Sequence, residues 1–136
     1  MKNYPLELSE QLLQYVKTGK DTKELRRELF YVRANKLCGY LSNDELKQQF
    51  WINIYNAYLH LLKTESQINK STFDVKRIKI GYNRISLNDI EFRILKKKGL
   101  KNYWGIANYF DSPFIKKLSL QNSDQSIISQ LDKYGI

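Results

Sequence analysis

The most strongly patterned part of the chain is residues 46–62, which read LKQQFWINIYNAYLHLL. Apolar side chains recur there at spacings of three and four residues and cover almost the whole circumference of a helix, which is typical of a buried helix. They are Leu46, Phe50, Ile54, Tyr58 and Leu61 in one row and Trp51, Tyr55, Leu59 and Leu62 in a second. Because Ser42 and Glu45 form a capping box before them, we predict a long central helix that ends near Lys63–Glu65.

Two helices are predicted before the central one, from apolar spacing and end signals. The first spans Ser9–Thr18, with Ser9 as its N-cap and Gly19 just beyond its end. The second spans Thr22 to about Leu37, follows a capping box that begins at Asp21, and ends at Gly39.

A short β-hairpin is predicted after a polar loop at residues 67–72. Residues 78–80 alternate apolar and charged side chains, and residues 81–83 (GYN) have the composition of a turn. Residues 84–85 would form the returning strand. Ser86 and Asp89 then form a third capping box, which predicts another helix.

The rest of the chain is less patterned. The helix that begins after Ser86 is expected to end at Gly99, with Lys96–Lys98 in its last turn. Pro113 indicates a turn, and a last short helix is predicted at residues 123–131. The chain of 136 residues contains neither a repeat nor a linker, so one domain over residues 1–136 is expected. We predict an α+β fold, a mostly helical single domain with a small antiparallel β-hairpin.

Composition restricts the function. The 42% hydrophobic content excludes a disordered chain, and one Cys with one His excludes an intrachain disulfide framework and a zinc site of Cys and His alone. No phosphate-binding glycine loop or metalloprotease motif is present, so we expect no cofactor and no metal. Without an apolar N-terminal segment or a long apolar run, we expect a cytoplasmic protein with no membrane span.

Three polar residues interrupt the central helix. Asn53, Asn56 and His60 occupy positions i, i+3 and i+7, so they share one face. A buried amide without a hydrogen-bond partner costs about 1–3 kcal/mol. Either these side chains tie the helix to the backbone of a loop, or they line a cleft and position a substrate or a neighbouring loop.

Glu91 is the fourth candidate for this cleft, because it leans toward the apolar side of its own helix. It is either paired, with Arg84 or Arg93, or desolvated and able to act as an acid or base. A dyad of Cys38 and His60 is the less favoured catalytic alternative, because the C-terminal end of a helix raises the pKa of a thiol.

The net charge of +9 is carried by clusters of basic residues. They are Arg26–Arg27, Lys76–Lys79, Lys96–Lys98 and Lys116–Lys117, interleaved with Tyr82, Tyr103, Trp104 and Tyr109. Cationic and aromatic side chains in such a pattern could bind the phosphates and bases of a nucleic acid. The alternative is that the clusters are solvated faces.

Two stretches resemble a known family. Residues 49–58, QFWINIYNAY, resemble the FWINxYNA motif of the DUF547 family, a domain of unknown function, and residues 85–95, ISLNDIEFRIL, resemble its second block, SLxDIEHxILR. Phe92 stands where that block usually has His. The resemblance covers about residues 8–117 and leaves 118–136 as a divergent tail.

Members of this family typically continue into a segment such as HFALNCGAxSCP, whose His and Cys residues suggest thiol chemistry. This sequence has no Cys after Cys38 and no His after His60, and it looks like a truncated member. The resemblance thus implies an uncharacterised DUF547-like domain that is not catalytically competent and could self-associate through exposed core surface. The alternatives are a hydrolase-like enzyme using Glu91 and His60, and a basic module that binds nucleic acid or another anionic partner.

Overall fold

Five α-helices, a β-hairpin and a π-helix make up the part of the chain that the computed structural model describes, residues 3–65, 70–95 and 112–121. The elements are α1 (Tyr4–Thr18), α2 (Lys23–Tyr31), α3 (Ala34–Tyr40), α4 (Asp44–Glu65), a 3-10 turn (Lys70–Phe73), β1 (Ile78–Ile80), β2 (Asn83–Ile85), the π-helix (Asp89–Ile94) and α5 (Pro113–Leu118). The predicted α+β class, mostly helical with a two-stranded antiparallel sheet, is confirmed. No helix in these three ranges is long and apolar enough to cross a membrane.

The central helix α4 is buried on nearly every side, as predicted. Phe50, Trp51, Ile54, Tyr55 and Leu59 are fully buried, and α1 makes the most extensive contact with α4. The cap lies one residue later than expected: the Asn43 side chain accepts a hydrogen bond from the Leu46 amide at 2.9 Å.

The predicted start of the first helix is wrong. The helix begins at Tyr4, where the Asn3 side chain accepts a hydrogen bond from the Leu6 amide at 3.2 Å and Pro5 sits in the first turn. Ser9 lies inside the helix and donates its hydroxyl hydrogen bond back to the Leu6 carbonyl. An Asn N-cap with proline two residues later, in the first turn, is itself an N-terminal signal, and Gly19 ends the helix in the left-handed conformation as predicted.

The single helix predicted from Thr22 to Leu37 is also wrong, because the chain forms α2 and α3 with a break between them. Val32 and Arg33 are extended there. The last carbonyls of α2 accept hydrogen bonds from the hairpin turn, Leu29 from the Gly81 amide at 3.1 Å and Phe30 from the Tyr82 amide at 2.8 Å. The break thus depends on a partner that is distant in sequence.

The hairpin is confirmed. Its register pairs Ile78 with Ile85, Lys79 with Arg84 and Ile80 with Asn83. The three isoleucines are buried on one face, so the two cations of the middle pair lie on the outer face. The two turn residues, Gly81 and Tyr82, both have positive φ, 58° and 65°, as a tight type I′ turn requires.

The capping box of Ser86 and Asp89 forms as predicted. The Asp89 carboxylate accepts from the Ser86 amide at 2.9 Å, and the Ser86 hydroxyl accepts from the Asp89 amide at 3.1 Å. The following residues form the π-helix rather than an α-helix. Pro113 lies in the first turn of α5, not in a turn between elements, because Ser112 caps a helix there. The predicted features at 96–99 and 123–131 lie outside the described residues.

Candidate functional site

Asn53 connects two helices. Its side-chain amide donates a hydrogen bond to the Ser9 hydroxyl of α1 at 3.2 Å, and Ser9 itself is fully buried. This hydrogen bond ties α4 to another part of the fold, as the first alternative proposed. Its partner is a side chain of α1 rather than the backbone of a loop. A cleft role for Asn53 stays a prediction.

The other two polar residues of this face differ in exposure. Asn56 is buried and His60 is half-buried. Since they follow Asn53 by three and seven residues within α4, all three lie on one side of the helix. Their proximity is therefore as predicted, but what the face does stays a prediction.

Glu91 is fully buried on the π-helix, and its Oε1 accepts a hydrogen bond from the Tyr55 hydroxyl at 3.3 Å. Burial raises the pKa of Tyr55, and the Glu91 carboxylate raises it further, so the hydroxyl keeps its proton and donates it. Tyr55 lies about 140° around α4 from His60 at 3.6 residues per turn. Tyr55, which contacts Glu91, therefore lies on a different side of α4 from the face that carries Asn53, Asn56 and His60.

The partners suggested for Glu91 were Arg84 and Arg93, and either pairing stays a prediction. Arg93 lies 3.6 Å from Asp89, and Arg84 is on the outer face of the hairpin. Cys38, in α3, is a free thiol packed at half burial against the core.

A cavity of about 560 Å³ opens between α2, α4 and the hairpin. We call it the basic cavity. From α2 it receives Lys23, Arg26, Arg27 and Phe30, at positions i, i+3, i+4 and i+7 of one helix face. The opposite face of α2 carries the buried Leu25 and Leu29. The same helix thus holds the core on one side and presents cations on the other.

The α4 side of the basic cavity is mostly apolar, with Tyr58, Leu61, Leu62 and Glu65 again at i, i+3, i+4 and i+7. Burial raises the pKa of Tyr58 to about 12, against the opposing effects of the nearby Arg26 guanidinium and a hydrogen bond with the Lys79 backbone. The Tyr58 hydroxyl is therefore neutral over the physiological range and joins α4 to the hairpin.

The hairpin side supplies Lys76, Arg77, Lys79 and Arg84. Lys79 and Arg84 are exposed and directly opposite each other in the register, an arrangement in which like charges destabilise a β-ladder. Lys76 is partly compensated, because its ammonium lies 2.8 Å from Asp89.

Positive charge dominates the basic cavity. Among its lining residues, seven are cationic and one, Glu65, is acidic. Arg27 makes a long, exposed ion pair of 3.8 Å with Glu24 outside the cavity. The Nε of Arg26 is buried and has no hydrogen-bond partner within the described residues. The site holds an excess of cationic donors that a ligand could engage.

Sequence reasoning treated Arg26–Arg27 and Lys76–Lys79 as separate clusters, and the fold brings them to one cavity. The sequence did not identify Lys23, Tyr58 and Arg84 as residues of the same site. The helical spacing of Lys23 with Arg26–Arg27 was a usable signal, and so was the register that a two-residue turn imposes on Arg84. Of the remaining clusters, Lys96–Lys98 lies outside the described residues, and the α5 cluster provides a bond from Lys117 to Asn35 at 2.9 Å.

Comparison with known proteins gives one match. The model of the family described as "Protein of unknown function, DUF547" matches residues 40–133, and no curated protein and no solved structure matches the chain. The match starts later than the resemblance at residues 8–117 and extends further, into the segment after 117. It includes both motif stretches, 49–58 and 85–95. Because the family model covers well over half of its length, the chain belongs to the DUF547 family.

Proposed function

We propose that this protein is a binding module for an anionic ligand, which it holds in the basic cavity. The observation that carries the proposal is the convergence of seven cationic side chains from α2 and the hairpin on one cavity with a single acidic lining residue. Its volume of about 560 Å³ falls in the range of roughly 300–1,000 Å³ that is typical of ligand sites.

The electrostatics of the cavity support an anion as the ligand. Two unit charges 4 Å apart interact by about 4 kcal/mol at the effective dielectric constant near a protein surface. Lys79 and Arg84 repel each other across the ladder, and the Arg26 guanidinium has a buried Nε without a described partner. A phosphate or carboxylate in the cavity would compensate the repulsion and accept hydrogen bonds from the guanidinium groups, which match such anions in geometry.

The proposal is one of binding and not of hydrolysis. It keeps the interpretation that the domain is without a complete catalytic set. It is supported by the position of Glu91, which is fully buried and accepts a hydrogen bond from Tyr55, since a general acid or base must come within hydrogen-bond reach of a substrate.

Isothermal titration calorimetry with inorganic tripolyphosphate tests the proposal by measuring the binding affinity at low and at moderate salt. We expect binding that weakens as salt rises, because counterions compete for the cations. Removing two cavity cations, in the variant Arg26→Gln with Lys79→Gln, is expected to weaken it at least tenfold, that is, by about 1.4 kcal/mol or more.

The matched control is Lys17→Gln with Lys20→Gln, which removes two exposed cations that do not line the basic cavity. It is expected to leave the affinity close to that of the native chain. Binding that is insensitive to salt, or that falls equally in the control and in the cavity variant, would contradict the proposal.

A further inference from the structure

Three aromatic side chains, Phe30, Tyr31 and Tyr82, form a cluster at the edge of the basic cavity. We call it the aromatic rim. The ring centroids are 5.2 Å apart for Phe30 and Tyr31, and 5.5 Å apart for Phe30 and Tyr82 and for Tyr31 and Tyr82. Tyr31 is 56% exposed and Tyr82 is 53% exposed. The cluster therefore presents two large ring surfaces to solvent.

The position of Tyr82 is conformationally costly. Its φ of 65° lies in the left-handed region, which Gly and Asn occupy far more readily than a bulky residue. The turn is held there by the hydrogen bond from the Tyr82 amide to the Phe30 carbonyl at 2.8 Å. The fold thus places an exposed aromatic ring where a small turn residue would fit with less strain, and such outliers concentrate at functional positions.

Cations continue on the far side of the aromatic rim. Tyr31 lines the basic cavity and also a second hollow of about 350 Å³, which includes Arg33 and Lys36 together with Glu28. Tyr82 lines a third hollow of about 340 Å³, again with Arg33. The surface therefore alternates cationic and aromatic groups from the basic cavity across the rim to Arg33.

We propose that the anionic ligand is a single-stranded nucleic acid, whose phosphates lie in the basic cavity and beside Arg33 and whose bases stack on Tyr31 and Tyr82. The inference rests on the proposed function, because it names the class of anion that the cavity takes. A cationic groove with exposed aromatic side chains is how proteins hold single strands without sequence preference. In a duplex the base faces are covered by stacking, so a duplex can engage the cations but not the rings.

The test measures fluorescence anisotropy of a labelled single strand of about ten nucleotides, within the site size typical of such proteins. RNA and DNA strands are tested separately, to show which of the two nucleic acids the protein binds more tightly. The same-length duplex, ATP and inorganic tripolyphosphate are unlabelled competitors. The variants are Tyr31→Ser and Tyr82→Asn, which remove a ring, and Tyr31→Phe and Tyr82→Phe, which keep one. Asn tolerates the left-handed conformation, and circular dichroism verifies that each variant is folded.

We expect the strand to bind in a salt-dependent manner and to be displaced more weakly by ATP and by the duplex than by unlabelled strand. Each ring-removing variant is expected to lose about tenfold or more in strand affinity, in line with the loss of one stacked base. The phenylalanine variants keep the strand affinity. Both Tyr82 variants also keep the affinity for tripolyphosphate, because Tyr82 does not line the basic cavity.

The two proposals fail in different ways. If tripolyphosphate binds but the ring-removing variants hold the strand as tightly as the native chain, or if ATP or the duplex competes as well as the strand, the nucleic-acid inference is wrong and anion binding stands. If neither the strand nor tripolyphosphate binds, the proposed function itself is wrong.

Discussion

At the scale of single residues, Gly81 illustrates how one position joins the hairpin to the rest of the molecule. Its φ is 58°, and an added Cβ would lie 2.9 Å from a ring carbon of Phe114 and 3.1 Å from the Val32 carbonyl oxygen. We predict that Gly81→Ala lowers the free energy of unfolding by about 2–3 kcal/mol, part from the left-handed backbone and part from this crowding. Urea denaturation measures the loss.

The matched control for Gly81 is Gly19, which has a φ of 75° but no atom within 4 Å of an added Cβ. Gly19→Ala carries the backbone cost alone, about 1 kcal/mol. If both variants lose the same stability, the close approach of the turn to Phe114 contributes nothing.

Tyr58 predicts a pH dependence of stability. Burial raises its pKa from 10.0 to about 12 in the folded protein, so the folded state holds this proton more tightly than the unfolded state does. The contribution is fully present below pH 10 and is lost as the pH rises from about 10 to 12, by roughly 2–3 kcal/mol. Tyr58→Phe is expected to reduce the slope of this part of the stability profile without abolishing it, because the raised pKa of Tyr55 adds a loss of the same sign. Denaturation between pH 8 and about 11.5 measures the slope.

The control for the Tyr58 experiment is Tyr31→Phe, since the Tyr31 side chain is more than half exposed. The control is expected to retain the alkaline loss. An equal loss in native chain and Tyr58→Phe would show that the buried hydroxyl of Tyr58 is not its source.

At the scale of elements, the contact between α1 and α4 is the most extensive in the described fold, and it includes the hydrogen bond from Asn53 to Ser9. We predict that Asn53→Ala lowers the free energy of unfolding by about 1 kcal/mol and that Ser9→Ala does the same. In the double variant the two losses do not add, because each removes the same bond. Full additivity, or no loss from Asn53→Ala, would favour the cleft interpretation of this residue.

The elements also separate what local sequence can predict from what it cannot. The capping box of Ser86 and Asp89 and the register of the hairpin were predictable, because their bonds join residues close in sequence. The break between α2 and α3 was not, because its carbonyls are satisfied by amides about fifty residues away, at Gly81 and Tyr82. The start of α1 was missed for another reason: Asn3 and Ser9 are both competent caps, and only the upstream one is used.

The same distinction applies to the candidate site. The spacing of Asn53, Asn56 and His60 identifies a shared face, since a helix period suffices for that. The basic cavity needs α2 and the hairpin to meet, and the hydrogen bonds from the hairpin turn to the end of α2 bring this about. The net charge of the sequence therefore left an anionic partner as one alternative, and it could not say where such a partner would bind.

At the scale of the whole molecule, the proposed binding of an anion in the basic cavity would make stability depend on the ligand. A ligand that binds only the folded state stabilises it by about 2.7 kcal/mol at a concentration one hundred times Kd. We predict that tripolyphosphate raises Tm by several degrees and that the effect decreases at high salt. Differential scanning fluorimetry measures the shift. An unchanged Tm at saturating concentration would mean that the anion does not prefer the folded state.

The pairing of Lys79 with Arg84 leads to an opposite effect in the free protein. Because like charges lie directly across the ladder, replacing one of them relieves repulsion worth roughly 0.2–1 kcal/mol. We predict that Lys79→Gln raises the free energy of unfolding of the ligand-free protein at low salt while it reduces the Tm shift caused by tripolyphosphate. Lys17→Gln, an exposed cation outside the cavity, changes neither. If Lys79→Gln instead destabilises the free protein, the Lys79 ammonium stabilises the fold, and the argument that a bound anion would relieve repulsion between Lys79 and Arg84 loses its energetic basis.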